Sequence, residues 1–215
     1  MTETLEQHLD APQRDLLRSL STPEKIQAFL DTCAYVPEYT NRCPARVIAE
    51  RKAHCLDGGL FGAMALRRLG FPALVVDIFP DPGIDDDHVL AIFKLGKGFG
   101  AVAKSNFVGL RYRDPVYHSL RELIMSYFEQ FYNIDGVKTL RTHTRPLNLA
   151  RFDRLHWEWS DAGADAIELA LLGLPRSPLI SAEMAASLVP VDALTYKAGM
   201  LVANMDGVYK PKKVA

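Results

Sequence analysis

Ala53-His54-Cys55-Leu56-Asp57-Gly58-Gly59-Leu60-Phe61-Gly62-Ala63-Met64-Ala65-Leu66 decides how the rest of the chain reads. After Asp57 the run is apolar or glycine on every side, and charge returns only at Arg67 and Arg68 before Gly70 stops it. A helix that is apolar all round is a buried helix. Its glycines cost helix propensity, about 1 kcal/mol each against alanine, and in exchange allow close backbone approach. A helix start carries unsatisfied N–H groups and a partial positive charge, which favour a thiolate. The spacing therefore points to Cys55 as a nucleophile with a lowered pKa at the N-terminus of a buried central helix.

Beyond the helix the period changes. Ala73–Phe79, His88–Phe93 and Phe99–Ala103 are short, largely apolar runs, separated by Pro80-Asp81-Pro82-Gly83 and Lys94-Leu95-Gly96-Lys97-Gly98. They read as three buried strands joined by turns tight enough for antiparallel neighbours. Upstream, Asp10-Ala11-Pro12 starts one helix. Ser21-Thr22-Pro23-Glu24 starts a second, with Ile26, Phe29, Leu30 and Cys33 on one face. That periodicity makes Cys33 a core residue, and Tyr35–Pro44, holding Cys43, a loop. Downstream, Asp114-Pro115 opens a helix with Asp114 as cap, Val137–Leu149 is extended, and Asp161–Leu172 and Ser181–Leu188 are helical. Arg154–Trp159 holds both tryptophans, and the basic tail Tyr209–Lys213 frays. The fold class is α+β: a buried helix bearing the cysteine, packed on an antiparallel sheet, with N-terminal and C-terminal helices. One domain is expected over 1–215, with a helical segment at 1–50, a core at 51–113 and a helical and extended extension at 114–215.

Composition narrows the function classes. Lys and Arg number 25 against 26 Asp and Glu, which argues against nucleic-acid or anionic-membrane partners. No apolar run approaches the roughly 20 residues of a membrane span. Three cysteines and no signal-peptide pattern point to a reduced, cytoplasmic compartment rather than a disulfide scaffold.

A nucleophilic cysteine needs a base, and the base an orienting group. His88 stands where Asp85-Asp86-Asp87 enters a strand, so a sheet packed on the helix is expected to bring it against Cys55. The next strand ends at Ser105-Asn106, and Asn106, or more weakly Ser105, is the candidate to hold the imidazole tautomer. Candidate substrate contacts are His54, Asp87 and Arg111, the last within a group, Arg111, Arg113, Arg141 and Arg145, that would favour a carboxylate if it lined the cleft. Asp57 reads as a macrodipole partner. No C-x-x-C or H-E-x-x-H spacing occurs, so neither a metal nor a cofactor is expected.

This order of residues resembles the transglutaminase-like superfamily, with its papain-type core: His54-Cys55-Leu56-Asp57-Gly58 is similar to its nucleophile segment, and Asp87-His88-Val89 to its histidine strand. Lys104-Ser105-Asn106, Leu110-Arg111-Tyr112-Arg113, Lys138-Thr139-Leu140-Arg141 and Arg145-Pro146-Leu147-Asn148-Leu149 extend the likeness to a group of bacterial transglutaminase-like proteins. The resemblance implies a Cys-His-Asp triad and acyl transfer through a thioester, on a small-molecule or peptide amide. The chain departs at the third position, where Asn106 stands in place of Asp. Two alternatives stand beside it: a silent binding or regulatory protein on the same fold, and a cysteine acetyltransferase of related core.

Overall fold

The computed structural model describes residues 3–37 and 40–211. Glu38 and Tyr39 of the expected loop, and Lys212 and Lys213 of the expected tail, lie outside the described residues. Seven strands form one antiparallel sheet: β3 (Leu74–Pro80), β4 (His88–Leu95), β5 (Gly98–Val102), β6 (Arg113–Tyr117), β7 (Leu140–Thr144), β8 (Leu147–Asn148) and β9 (Arg176–Pro178). Their order is β6-β5-β4-β3-β7-β9, with β8 also paired to β3. A two-stranded parallel ribbon, β1 (Ala34–Tyr35) with β2 (Lys52–Ala53), stands before the central helix.

The helices are α1 (Ala11–Ser19), α2 (Pro23–Thr32), α3 (Pro44–Glu50), α4 (Cys55–Arg68), α5 (Leu120–Met125), α6 (Asp161–Leu172), α7 (Ala182–Ala186) and α8 (Ala193–Gly199). The α+β class is as expected, with α4 buried from Cys55 to Leu66 and laid on one sheet face. Glycine makes that seat possible. A Cβ on Gly58 would stand 2.1 Å from Lys104 Cβ, and one on Gly59 2.6 Å from Val89 Cγ1.

Side chains alternate across a strand. Val89, Ala91 and Phe93 of β4, with Val75 of β3 and Val102 of β5, join the core cluster of α4, while Leu90, Ile92, Val76, Ile78 and Ala101 join a second cluster with Leu110, Leu123, Ile124 and Tyr127. The sheet is thus sandwiched, and β3 and β4 are apolar on both faces, which is why they read as continuous hydrophobic runs.

One expectation is corrected. Asp114-Pro115 opens no helix: Arg113–Tyr117 is strand β6, and α5 starts after Ser119, whose Oγ accepts from Glu122 N at 3.1 Å. Pro115 forms no bridge of its own in β6, whose partners on β5 fall at Arg113 and Tyr117, so its missing N–H costs the ladder nothing. The extension after Ser119 adds β7, β8 and β9 to the same sheet as the core strands. The expected helix at Asp161–Leu172 is found with those bounds. No helix among the described residues is long and apolar enough to cross a membrane.

Candidate active site

Cys55 is the first residue of α4, with His54 as N-cap. Asp57, at the third helical position, accepts from His54 N at 3.1 Å and from Arg42 N at 2.7 Å, and its carboxylate lies 3.2 Å from His54 Nε2 and 3.6 Å from an Arg42 guanidinium nitrogen. These contacts fix the helix start and bind it to the segment before α3. Burial pushes Asp57 up to about 7 and His54 down to about 4, so His54 is neutral near pH 7.

Cys55 is 9% exposed. Its Sγ donates to the carbonyl oxygen of Asp87 at 3.8 Å and accepts from the backbone N–H of Val89. Residue 87, just before β4, and residue 89 within it therefore meet the thiol, and residue 88 between them points the other way. His88 Nε2 donates to the Leu110 carbonyl at 2.8 Å, its ring stands edge-on to Tyr127, and it shares the second cluster's face with Leu90 and Ile92. Burial holds its pKa down at about 4. The expected Cys55–His88 dyad is not assembled, because the pleat sends the imidazole to the far side of the sheet.

The other expected partners are also elsewhere. Asn106 accepts from Asn204 N at 2.7 Å and donates to Asn204 O at 2.8 Å, while Ser105 Oγ accepts from Phe107 N at 2.9 Å. Both line a separate hollow with Lys104 and Arg111. Arg111 pairs with Asp31 at 3.1 Å, Arg141 with Asp81 at 2.9 Å, and Arg113 stacks 4.0 Å over the Tyr127 ring. None of Arg111, Arg113, Arg141 and Arg145 lines the space in front of Cys55.

That space is a cavity of about 460 Å³. Of the expected substrate contacts, His54 and Asp87 line it and Arg111 does not. It also receives Tyr35, Asp77, Asp86 and Glu168, with Asp206–Lys210 along one wall. Asn106 holds that wall through Asn204, whose own amide donates to the Tyr35 carbonyl at 3.0 Å. Asp77 pairs with Val89 across β3 and β4 and is 1% exposed. Its carboxyl lies beside that of Asp87, and burial together with the Asp87 charge pushes Asp77 far above the usual carboxylate range. Burial raises Asp87 too.

The sequence-level expectation for the thiol is reversed. Burial first, then the charges of Asp87, Asp86 and Asp77, push Cys55 well above the ordinary thiol value. Asp77, Tyr35 and Glu168 were not anticipated. A lone aspartate inside the apolar strand Leu74-Val75-Val76-Asp77-Ile78-Phe79 is the signal that could have found the first, since such a carboxylate is seldom buried without a task. Among the described residues no group of three or more His, Cys, Asp or Glu side chains has a metal-holding arrangement.

No protein-family model matches the chain, and no curated protein matches it significantly. Among solved structures, Legionella pneumophila LapG is similar over 48% of this chain and 71% of its own, at 14% identity and a TM-score of 0.36. So loose an overlap assigns neither a family nor a role to any residue.

Proposed function

We propose that the chain is a cysteine-dependent acyl-transfer enzyme, acting on a small-molecule or peptide amide with Cys55 as the acyl acceptor. The observation that carries the reading is the position of Cys55: the first residue of a buried helix, lining a cavity of about 460 Å³. The N–H groups of Cys55 and Leu56 have no intrahelical acceptor, as at any helix start, and would steady an oxyanion.

With His88 on the other face, the proton acceptor nearest in effect is the Asp87 carboxyl, the charge that weighs most on the thiol. In the proposed step Cys55 sulfur bonds to the amide carbon as its proton passes to Asp87. The tetrahedral oxyanion then collapses, the C–N bond breaks, and Asp87 protonates the leaving amine. Water attacks the thioester, gives a proton to Asp87, and the C–S bond breaks to return the thiol and the free acid. An amine in place of water completes transamidation instead.

Incubation with a panel of activated esters and amides, followed by intact-protein mass spectrometry, tests this. The reading expects an acyl adduct on wild type that Cys55→Ala lacks. Adducts equal in both, or none with any acyl donor, would sink it.

A second reading has a specific observation behind it. The thiol is protonated, satisfied by Asp87 O and Val89 N–H, and has no imidazole beside it. That suits a ligand-binding protein whose Cys55 is only part of a wall.

A further inference from the structure

We infer that the cavity in front of Cys55 binds a small organic cation, taking its ammonium or guanidinium group among the carboxyls of Asp77, Asp86, Asp87 and Glu168. The inference needs the cavity and not the acyl chemistry, so it goes beyond the function proposed above.

Two independent observations converge on it. The first is the charge of the walls. Carboxyls reach the space from β3, from the loop before β4 and from α6. The only Lys or Arg among the described residues that line it is Lys210, exposed at the rim, and His54 is neutral near pH 7. A volume of about 460 Å³ suits a ligand of small-molecule size.

The second is an orphaned acceptor. Asp77 Oδ1 is buried and receives no hydrogen bond from any of the described residues. Buried carboxyl oxygens are normally paired or hydrogen-bonded. Arg176 acts on Asp77 by charge alone, its guanidinium being stacked 3.6 Å from the Phe79 ring. Burial and the neighbouring Asp87 carboxyl both oppose a charge on Asp77, and a cation with several N–H donors would offset that repulsion. Glu168 accepts from Asn41 Nδ2 at 2.8 Å, which aims its carboxylate beside the cavity.

Isothermal titration separates the outcomes. Agmatine, which carries both cationic groups, and n-hexylamine are titrated into wild type, with n-hexanol as the neutral isostere of the amine. The inference expects saturable binding of both cations, hexanol weaker by at least about tenfold, and a similar loss in Asp77→Asn and in Glu168→Gln. Glu168 is half-buried on a helix surface, so its variant keeps the test meaningful if Asp77→Asn folds poorly. Hexanol binding as well as hexylamine, or cations binding both variants as tightly as wild type, would overturn the inference, as would no binding of either cation. The same titration on Cys55→Ala keeps the two proposals apart. Cation binding retained there, with no acyl adduct on wild type, would leave the inference standing and remove the acyl-transfer reading. Acyl adducts without cation binding would do the reverse. A lysine-containing blocked peptide in a further cell shows whether the cation is accepted as a side chain or only as a free small molecule.

Discussion

The two faces of the sheet receive polar groups from adjacent residues at the entry to β4 and treat them in opposite ways. On the far face His88 is packed against Tyr127 and bonded to the Leu110 carbonyl. On the α4 face the Asp87 and Asp77 carboxyls crowd together, an Asp77 oxygen has no donor among the described residues, and a cavity opens in front of Cys55. One step along a strand separates a finished structural contact from an unfinished one. What decides between them is the pleat, because residues 87 and 89 face the helix and residue 88 cannot.

The contrast between the faces is most severely challenged at the helix seat. Gly58→Ala puts a methyl 2.1 Å from Lys104 Cβ and 3.2 Å from its backbone. A cost of about 3 kcal/mol is expected, the upper end for overpacking, read as a fall in the denaturant midpoint. Native stability would mean that α4 does not lie so close to Lys104, just past the end of β5.

His88→Ala comes next. It removes a buried ring and orphans the Leu110 carbonyl, so a loss of about 2–3 kcal/mol is expected, with the Cys55 alkylation profile unmoved. An unchanged stability with altered thiol reactivity would place the imidazole on the Cys55 side after all.

Asp77→Asn is the gentlest change, and its sign depends on pH. A carboxyl whose folded pKa is raised stabilises the fold fully below its unfolded value near 3.8, and that contribution is lost as pH rises through the folded value. Removing the charge should therefore raise the thermal midpoint at pH 8, by about 2–4 °C for a chain of this size, and leave it nearly unchanged at pH 4. The histidines act in the opposite sense. His54 and His88, both held at about 4, lose their contribution as pH falls from 6.5 through 4. A midpoint for Asp77→Asn that drops equally at both pH values would show that the carboxyl is needed for packing alone.

Much of the fold could be read from the chain. Capping at Pro23, the all-round apolar run after Cys55, and the turns at Gly83 and Gly96 each signal an element locally, and they account for α2, α4, β3, β4 and β5. Asp114-Pro115 misled because its cap pattern is also tolerated in a strand pair where proline gives up no bond. The site was only half legible. Cys55 at the helix start is a local feature and was found. The partner of Cys55 depends on strand parity, and β4 gives no parity signal: Val89, Leu90, Ala91, Ile92 and Phe93 are all buried, so neither face is marked by polar residues. For the same reason Asp77 passed as one more residue of a buried strand, and the link from Asn106 to Asn204 spans 98 positions that no short motif records.

The most direct test is the rate of Cys55 alkylation by iodoacetamide from pH 6 to 11, read by peptide mass spectrometry in wild type, His88→Ala and Asp87→Asn, with N-acetylcysteine as the free-thiol reference. Cys33 and Cys43 are poor references, since burial raises both, Cys43 to about 12. A protonated thiol held against carboxyls on one face, with the imidazole on the other, predicts a Cys55 midpoint above that of the free thiol in wild type, the same midpoint in His88→Ala, and a lower one in Asp87→Asn. Fast alkylation below pH 7 that His88→Ala abolishes would contradict this, and would restore the histidine to the face of the sheet on which the sequence alone had placed it.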